Sequence, residues 1–197
     1  MQKVVSLSPY VLANQKAGKY NRDKEETMSS LQKILPETVS EAVEQAFLGK
    51  LRAKIFAGAN NLVLAVRAVE AVYGEPGAGT IRRAFAESWA EAGKERATAS
   101  PDNSLRSFCS VIEQVCIGSH EWTKVEDSDA RQAYRFTRCM WAEAFRELEA
   151  EDIGYWVLCQ GDSAMASSFN PMIGFSRTKT LMMGDDCCDH VYFLKTQ

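Results

Sequence analysis

The stretch RTKTLMMGDDCCDHVYFLK, residues 177–195, has the composition of a β-hairpin with a tight turn at its centre. Residues 177–183 are rich in threonine and apolar side chains, and residues 191–194 form a second apolar run, so both segments predict strands. Gly184 begins the intervening turn, because glycine takes a positive φ without a steric penalty. The stretch therefore predicts a hairpin that closes the fold.

The same turn is followed directly by three chemically active side chains, those of Cys188, Asp189 and His190. A thiol, a carboxylate and an imidazole in succession supply nucleophile, base or metal-ligand chemistry. A purely structural turn needs only the glycine and one aspartate. We therefore expect a functional site at the mouth of this hairpin.

The composition is that of a soluble globular protein, with 46% hydrophobic and 25% charged residues in a chain of 197. This length suits a single domain, in which we expect a mainly helical half at 1–118 and an α+β half at 119–197. The net charge of −3 argues against a nucleic-acid partner, since phosphate binding draws on an excess of basic residues.

The N-terminal residues lack the apolar run of a signal peptide, and no run reaches the roughly 18 apolar residues of a membrane span. We therefore expect a cytoplasmic protein without a membrane partner. In that compartment the six cysteines are expected to be reduced thiols, each of them buried, reactive or metal-bound.

Helical periodicity dominates the first half of the chain. A loosely ordered polar arm or a short strand is expected at 1–26, and Pro36 opens a helical pattern that continues through residue 55. The expected segments that follow are a buried helix at 62–73, a Gly-rich connector at 74–79, a helix at 80–96 capped by Thr80, and a helix from Ser100 to Cys116.

From His120 the pattern changes to alternation, which predicts a hairpin between 120–126 and 132–138. Helices are expected at 140–150 and 153–159 before the final hairpin. The fold class is therefore α+β: a helical N-terminal half, then a small antiparallel sheet of two hairpins with two helices between them.

Two further positions carry candidate site chemistry. Cys139 follows Arg138 in the first turn of a predicted helix, where the helix dipole and the cation both favour the thiolate. Cys159 and Asp162 are three residues apart and share a face if the helix continues that far. Each of these residues also has a structural interpretation: a lone cysteine is more often core, and Asp162 can cap or turn the chain. Cys109 and Cys116 lie in an apolar stripe and are expected to be inert core residues.

An ordered set of motifs in the second half of the chain resembles the L-2-amino-thiazoline-4-carboxylic acid hydrolase family, over roughly residues 115–195. In this sequence the motifs are Arg138-Cys139 with Trp141-Ala142-Glu143, Cys159-x-x-Asp162, Phe169-Asn170-Pro171, Arg177-Thr178-Lys179-Thr180-Leu181-Met182 and Gly184-Asp185-x-x-Cys188-Asp189. His190 stands where an aromatic residue is common in the family, and Cys187 adds an extra thiol. The helical first half resembles the family only in general texture.

The resemblance implies a hydrolase that acts on the carbon–nitrogen bonds of cyclic amidines and opens a thiazoline to a carbamoyl-cysteine, with no cofactor. Such a substrate needs a cation for its carboxylate, from Arg177 or Lys179, and a carboxylate for its amidinium, from Asp162 or Asp189. Attack on the amidine carbon would come from a thiolate or from water activated by Asp or His. Cys188 is the expected nucleophile, with Cys139 next. The candidate catalytic set also contains Cys159 and His190, and the candidate binding set also contains Arg138, Asp185 and Asn170.

Two alternatives use the same residues. Three thiolates with His190 or an aspartate could bind zinc, which would activate the water, although the separations are unlike those of paired zinc-ribbon cysteines. The chain could instead be a non-catalytic module that senses a small molecule or a metal, with the helical half providing a surface for a homo-oligomer.

Overall fold

The computed structural model describes residues 31, 32, 34 and 39–196, and it confirms the predicted α+β class. The helices are α1 (Glu41–Ala99), α2 (Leu105–Cys116), α3 (Met140–Glu147), α4 (Glu151–Gly154) and α5 (Gly161–Phe169), with a π-helix at Tyr155–Cys159 and a 3₁₀-helix at Leu181–Met183. The strands are β1 (His120–Asp127), β2 (Arg131–Cys139), β3 (Ile173–Ser176) and β4 (Cys188–Leu194). The expected arm at 1–26 and the helix start at Pro36 lie outside the described residues.

Helix α1 contains the first three predicted helices, and the connector predicted at 74–79 is shortened to a kink at Gly74 where two helical stretches meet. The chain changes direction at Gly74 alone, where φ is 58° and ψ is −152°, a conformation that side chains with a Cβ rarely adopt. Pro76 lies just after this kink, where the first turn of a helix tolerates its missing N–H. Thr80 does not cap a new helix, because its hydroxyl donates to the Pro76 carbonyl inside α1, at 2.9 Å.

By length and composition alone, α1 could cross a membrane, and within the described part of the chain it is the one helix that could. Its most apolar window is 22% buried by the rest of the structure. Core helices of soluble proteins meet the same criterion. The expected absence of a membrane partner therefore stays a prediction.

The four strands form one antiparallel sheet in the order β1-β2-β4-β3. The first hairpin is confirmed, with β1 paired to β2, and β4 lies between β2 and β3. Successive side chains of a strand point to opposite faces of the sheet, so Cys188, His190 and Tyr192 share one face of β4. In β2 their register partners include Phe136, opposite Cys188, and Tyr134, opposite His190. This face, the inner face of the sheet, is covered by helices.

The predicted strand at 177–183 was wrong. The strand that pairs with β4 on the side away from β2 is β3, which ends at Ser176, and residues 178–180 take an irregular path. Asp189 accepts hydrogen bonds from the backbone N–H groups of Thr178 and Lys179, at 2.8 and 2.6 Å, and Asp185 accepts from that of Thr180, at 2.7 Å. These local carboxylate–backbone bonds replace the ladder bonds that a strand would need.

Two buried clusters hold the elements together. One lies between the inner face of the sheet, α2 and α5, where Phe108 packs edge-on against Tyr192 with ring centroids 5.1 Å apart. The other lies between α1, α3, α4 and the π-helix, around the fully buried Phe145. The site described below lies where the two clusters meet.

Two glycines allow α1 and α5 to pack at close range. A Cβ at Gly161 on α5 would lie 2.3 Å from the indole ring of Trp89 on α1. A Cβ at Gly93 on α1 would lie 2.4 Å from the carbonyl oxygen of Met165 on α5. Both distances are well inside van der Waals contact. The close packing of these helices therefore depends on the absence of a side chain at each position.

The variant Gly161→Ala tests this packing. It should lower stability by about 1–3 kcal/mol, the usual cost of overpacking, because the indole of Trp89 has to move. For a chain of this size that corresponds to about 2–4 °C in Tm per kcal/mol, measured by thermal unfolding. Gly79→Ala is the control, since a Cβ there meets nothing within 4 Å. It should stabilise α1 slightly, and an equal loss in both variants would contradict the packing argument.

Candidate functional site

A cavity of about 240 Å³ lies between the two buried clusters. Its walls bring together six of the residues that the sequence predicted for the site, although the first and the last of them are 51 positions apart in the chain. These six are Cys139, Cys159, Asp162, Arg177, Cys188 and His190. The arrangement places thiols, a carboxylate, a guanidinium and an imidazole around one small volume.

The most polar feature of the cavity is an ion pair between Arg177 and Asp162. Arg177 Nη1 lies 2.7 Å from Asp162 Oδ2, and the Arg177 side chain is only 8% exposed. The guanidinium also lies over the rings of Tyr155 and Phe175, 5.6 Å from each centroid. Aromatic faces attract a cation in this position. The charge of Arg177 is therefore held in one place by contacts on several sides.

The π-helix contributes to this fixation because its wider turn leaves carbonyl groups free for other donors. Arg177 Nη2 donates to the carbonyl of Cys159 at 3.2 Å. The indole N–H of Trp89 donates to the carbonyl of Val157 at 2.7 Å. Two carbonyl groups of the π-helix thus accept hydrogen bonds from cavity residues, one from Arg177 and the other from Trp89.

Burial raises the pKa of the Asp162 carboxyl to about 6, although Arg177 acts in the opposite direction through its charge and its hydrogen bond. Asp162 is therefore ionised at neutral pH but takes up a proton in mildly acidic solution. Values in this range are typical of groups that exchange protons during catalysis.

The thiol of Cys188 faces the cavity from the start of β4. Its sulfur accepts a hydrogen bond from the backbone N–H of Leu181, at 3.2 Å, and its S–H donates to the Thr180 hydroxyl oxygen, at 3.7 Å. Burial raises the pKa of Cys188, while the hydrogen bonds with Leu181 and Thr180 and the charge of Arg177 act in the opposite direction. The site therefore holds Cys188 as a thiol next to groups that would stabilise the anion once it forms.

The predicted activation of Cys139 is not found. Cys139 does cap α3, with its sulfur accepting from the Ala142 N–H at 3.4 Å. However, Arg138 points to the opposite face of β2 and pairs with Glu143 at 2.7 Å. Burial raises the pKa of the Cys139 thiol to about 12, and it does the same for Cys159. Neither residue is a preformed thiolate.

His190 is neutral at neutral pH, because burial first and then the charge of Arg177 lower its pKa to about 3. Its Nε2 lies 3.9 Å from Asp162 Oδ2, and its Nδ1 lies 3.3 Å from the hydroxyl of Tyr192. The ring is enclosed by Phe136 and Phe175, with centroids 4.8 and 5.2 Å away. His190 is thus a neutral polar group beside Asp162.

Five predicted site residues do not line the cavity. Asp189 and Asp185 bind the backbone of residues 178–180, as described above. Lys179 pairs with Asp186 at 2.9 Å on the surface. Arg138 pairs with Glu143, and Asn170 donates to the Asn103 carbonyl at 2.7 Å. The contacts of these residues hold the loops and strands around the site.

Several cavity residues were not among the sequence candidates. Trp89 and Arg96 come from α1, and Cys116, His120 and Trp141 are further examples from other elements. Cys116, expected to be core, belongs to the first buried cluster and also reaches the cavity, whereas Cys109 is core alone. The seven-residue spacing of Trp89 and Arg96 puts them on one helix face. Nothing in the sequence indicates that this face meets α5.

No group of three or more histidine, cysteine or acidic side chains is arranged to hold a metal ion in the part of the chain that the structure describes. The zinc-dependent alternative therefore has no ligand set among these residues.

Comparison with known protein families supports the resemblance seen in the motifs. The model of the L-2-amino-thiazoline-4-carboxylic acid hydrolase family matches residues 52–192, and the chain belongs to this family. The match begins inside α1, so it includes more than half of the helical half, which contains none of the motifs quoted above. No curated protein matches the chain.

The raised thiol pKa values predict slow chemical labelling of the cavity. At neutral pH, iodoacetamide should alkylate the native protein much more slowly than the unfolded protein, in which all six cysteines are accessible. Mass spectrometry of the digested protein measures the rate for each cysteine. Rapid alkylation of Cys139 in the native state would contradict its assignment as a buried neutral thiol.

Proposed function

We propose that this protein opens a small cyclic amidine, such as L-2-amino-thiazoline-4-carboxylate, to a carbamoyl-cysteine. The observation that supports this most is the cavity itself, which surrounds the Arg177–Asp162 pair with thiols in a member of a hydrolase family. Its volume of about 240 Å³ is below the roughly 300–1,000 Å³ of sites for drug-sized ligands. A single five-membered ring with one carboxylate suits a space of this size.

Asp162 is the proposed partner of the amidine. It is the only carboxylate on the cavity wall within the described residues, since Asp189 binds backbone on the other face of β4. An amidinium presents two N–H groups in parallel, as a guanidinium does, and pairs well with a carboxylate. Arg177 holds Asp162 in place, so the carboxylate does not have to be ordered by the substrate.

Cys188 is the proposed nucleophile. Its thiol gives its proton to the amidine nitrogen, and Asp162 stabilises the amidinium that forms. The sulfur then attacks the amidine carbon while the Leu181 N–H and the Thr180 hydroxyl stabilise its developing charge. This sequence of events explains why a site with neutral thiols can act: the substrate itself supplies the base.

The proposed reaction has two stages, opening of the ring and release of the product from Cys188. The carbon–sulfur bond of the ring breaks, the ring sulfur leaves with the proton that Cys188 gave up, and the amidine carbon stays attached to Cys188. Water then adds to that carbon, and the bond from the carbon to Cys188 breaks as the water oxygen becomes the carbamoyl oxygen; the two water protons go to nitrogen and to the Cys188 sulfur. Both carbon–nitrogen bonds survive. The bond that opens the ring in this proposal is therefore carbon–sulfur, unlike the carbon–nitrogen cleavage first expected.

The variant Cys188→Ser should abolish ring opening, because a serine hydroxyl is a far weaker nucleophile without a dedicated base. The assay follows the new thiol of the product and identifies the carbamoyl compound by mass spectrometry. Cys187→Ser is the matched control, since this buried neighbour does not line the cavity. It should keep nearly full activity.

A fully active Cys188→Ser variant with an unchanged Tm would remove the nucleophile role. The same assay separates the enzyme from a sensing module, because a sensor saturates with ligand and forms no product.

The pH dependence of kcat/KM should show the ionisation of Asp162. Its pKa is raised to about 6, so the carboxylate that stabilises the amidinium is present above that pH and is lost below it. Activity should therefore rise with pH through an apparent pKa near 6. Asp162→Asn should reduce kcat/KM by about 100-fold or more, as for loss of a charge-stabilising group. An unchanged acid limb in the asparagine variant would show that another group titrates.

A further inference from the structure

Arg96 is a second cation on the cavity wall, contributed by α1. It lies seven residues after Trp89, which also lines the cavity, so both side chains are on the same helix face. Gly93 lies between them and allows this face to approach α5, the helix that carries Asp162. The position of Arg96 at the site therefore follows from the glycine-mediated packing of α1 on α5.

The two arginines of the cavity differ in their partners. Arg177 is neutralised by Asp162 at 2.7 Å. Arg96 donates to the Ala92 carbonyl of its own helix at 3.1 Å, and no acidic group of the described residues lies within salt-bridge distance of it. A guanidinium has five N–H donors, so this one bond leaves most of them available.

The charges of the cavity wall then sum to a positive value. Its formally charged groups are Arg96, Arg177 and Asp162, which give two positive charges and one negative, or a net +1 with both histidines neutral. An enclosed apolar site with an uncompensated positive charge favours an anionic ligand, because the low dielectric strengthens the attraction.

We propose that Arg96 binds the carboxylate of the substrate. This assignment rests on the proposed function, and it orients the ring: the carboxylate lies toward α1 and the amidine toward Asp162 on α5. The sequence favoured Arg177 or Lys179 for this role. However, Arg177 is already paired, and Lys179 pairs with Asp186 on the surface. The ligand class is therefore a small acid that carries an amidine at its other end.

The test compares two substrates, L-2-amino-thiazoline-4-carboxylate and 2-amino-thiazoline, which lacks the carboxylate. Arg96→Gln should raise KM for the acid by about 10- to 100-fold, the value of a charge-assisted hydrogen-bonded pair. It should change KM for the neutral ring by no more than about twofold, since that ring has no carboxylate for Arg96 to bind. Arg96→Lys keeps the charge without the bidentate geometry and should fall between wild type and Arg96→Gln for the acid.

Lys94→Gln is the matched control, because Lys94 is a cation on the same turn of α1 that is 63% exposed and pairs with Glu91. It should change neither substrate's KM. An equal loss for both substrates in Arg96→Gln would show a structural role and overturn the proposal. An unchanged KM for the acid would overturn it too.

A binding measurement keeps this test independent of catalysis. Calorimetric titration with L-thiazolidine-4-carboxylate, which has the carboxylate but no amidine, should detect binding to wild type and a loss of about tenfold or more in Arg96→Gln. If wild type turns over neither thiazoline, the proposed function fails, while this titration still decides whether Arg96 holds an anion. Equal affinity in wild type and Arg96→Gln would overturn the role of Arg96 alone.

Discussion

The ion pair between Arg177 and Asp162 is the interaction on which the rest of the site depends. It joins the segment after β3 to α5, and through the Cys159 carbonyl it also joins both to the π-helix. Removing either partner would leave a buried charge without compensation, which is far more costly than the pair itself is stabilising. The pair therefore connects three separate elements at the cavity between two apolar clusters.

The apolar surroundings of this pair determine the kind of chemistry that the cavity supports. Burial keeps Cys139, Cys159 and Cys188 as thiols and His190 as a neutral imidazole. The site is therefore inert toward general electrophiles until a ligand brings in its own base. In the proposed reaction an amidine does so, and Asp162, the one carboxylate on the cavity wall among the described residues, would stabilise the resulting cation.

Much of the fold and part of the site followed from the sequence. Alternation identified β1 and β2, an apolar run identified the second half of β4, and the order of motifs indicated that Cys139, Asp162 and Cys188 belong together. The strand predicted at 177–183 does not form, because Asp185 and Asp189 bind the backbone N–H groups of this segment. Strand propensity does not take such side-chain–backbone hydrogen bonds into account. Arg96 and Trp89 were missed because their role depends on how closely α1 packs against α5. That distance is set by single glycines in two helices, and periodicity describes only one helix at a time.

The central claim is that water opens a cyclic amidine inside this cavity, and the fate of the water oxygen tests it most directly. The wild-type protein is incubated with L-2-amino-thiazoline-4-carboxylate in water labelled with heavy oxygen, and the products are analysed by mass spectrometry. The account predicts a carbamoyl-cysteine with one heavy oxygen on its carbamoyl carbon and a free thiol. Recovery of the intact ring, or of a product without the label at that carbon, would contradict it.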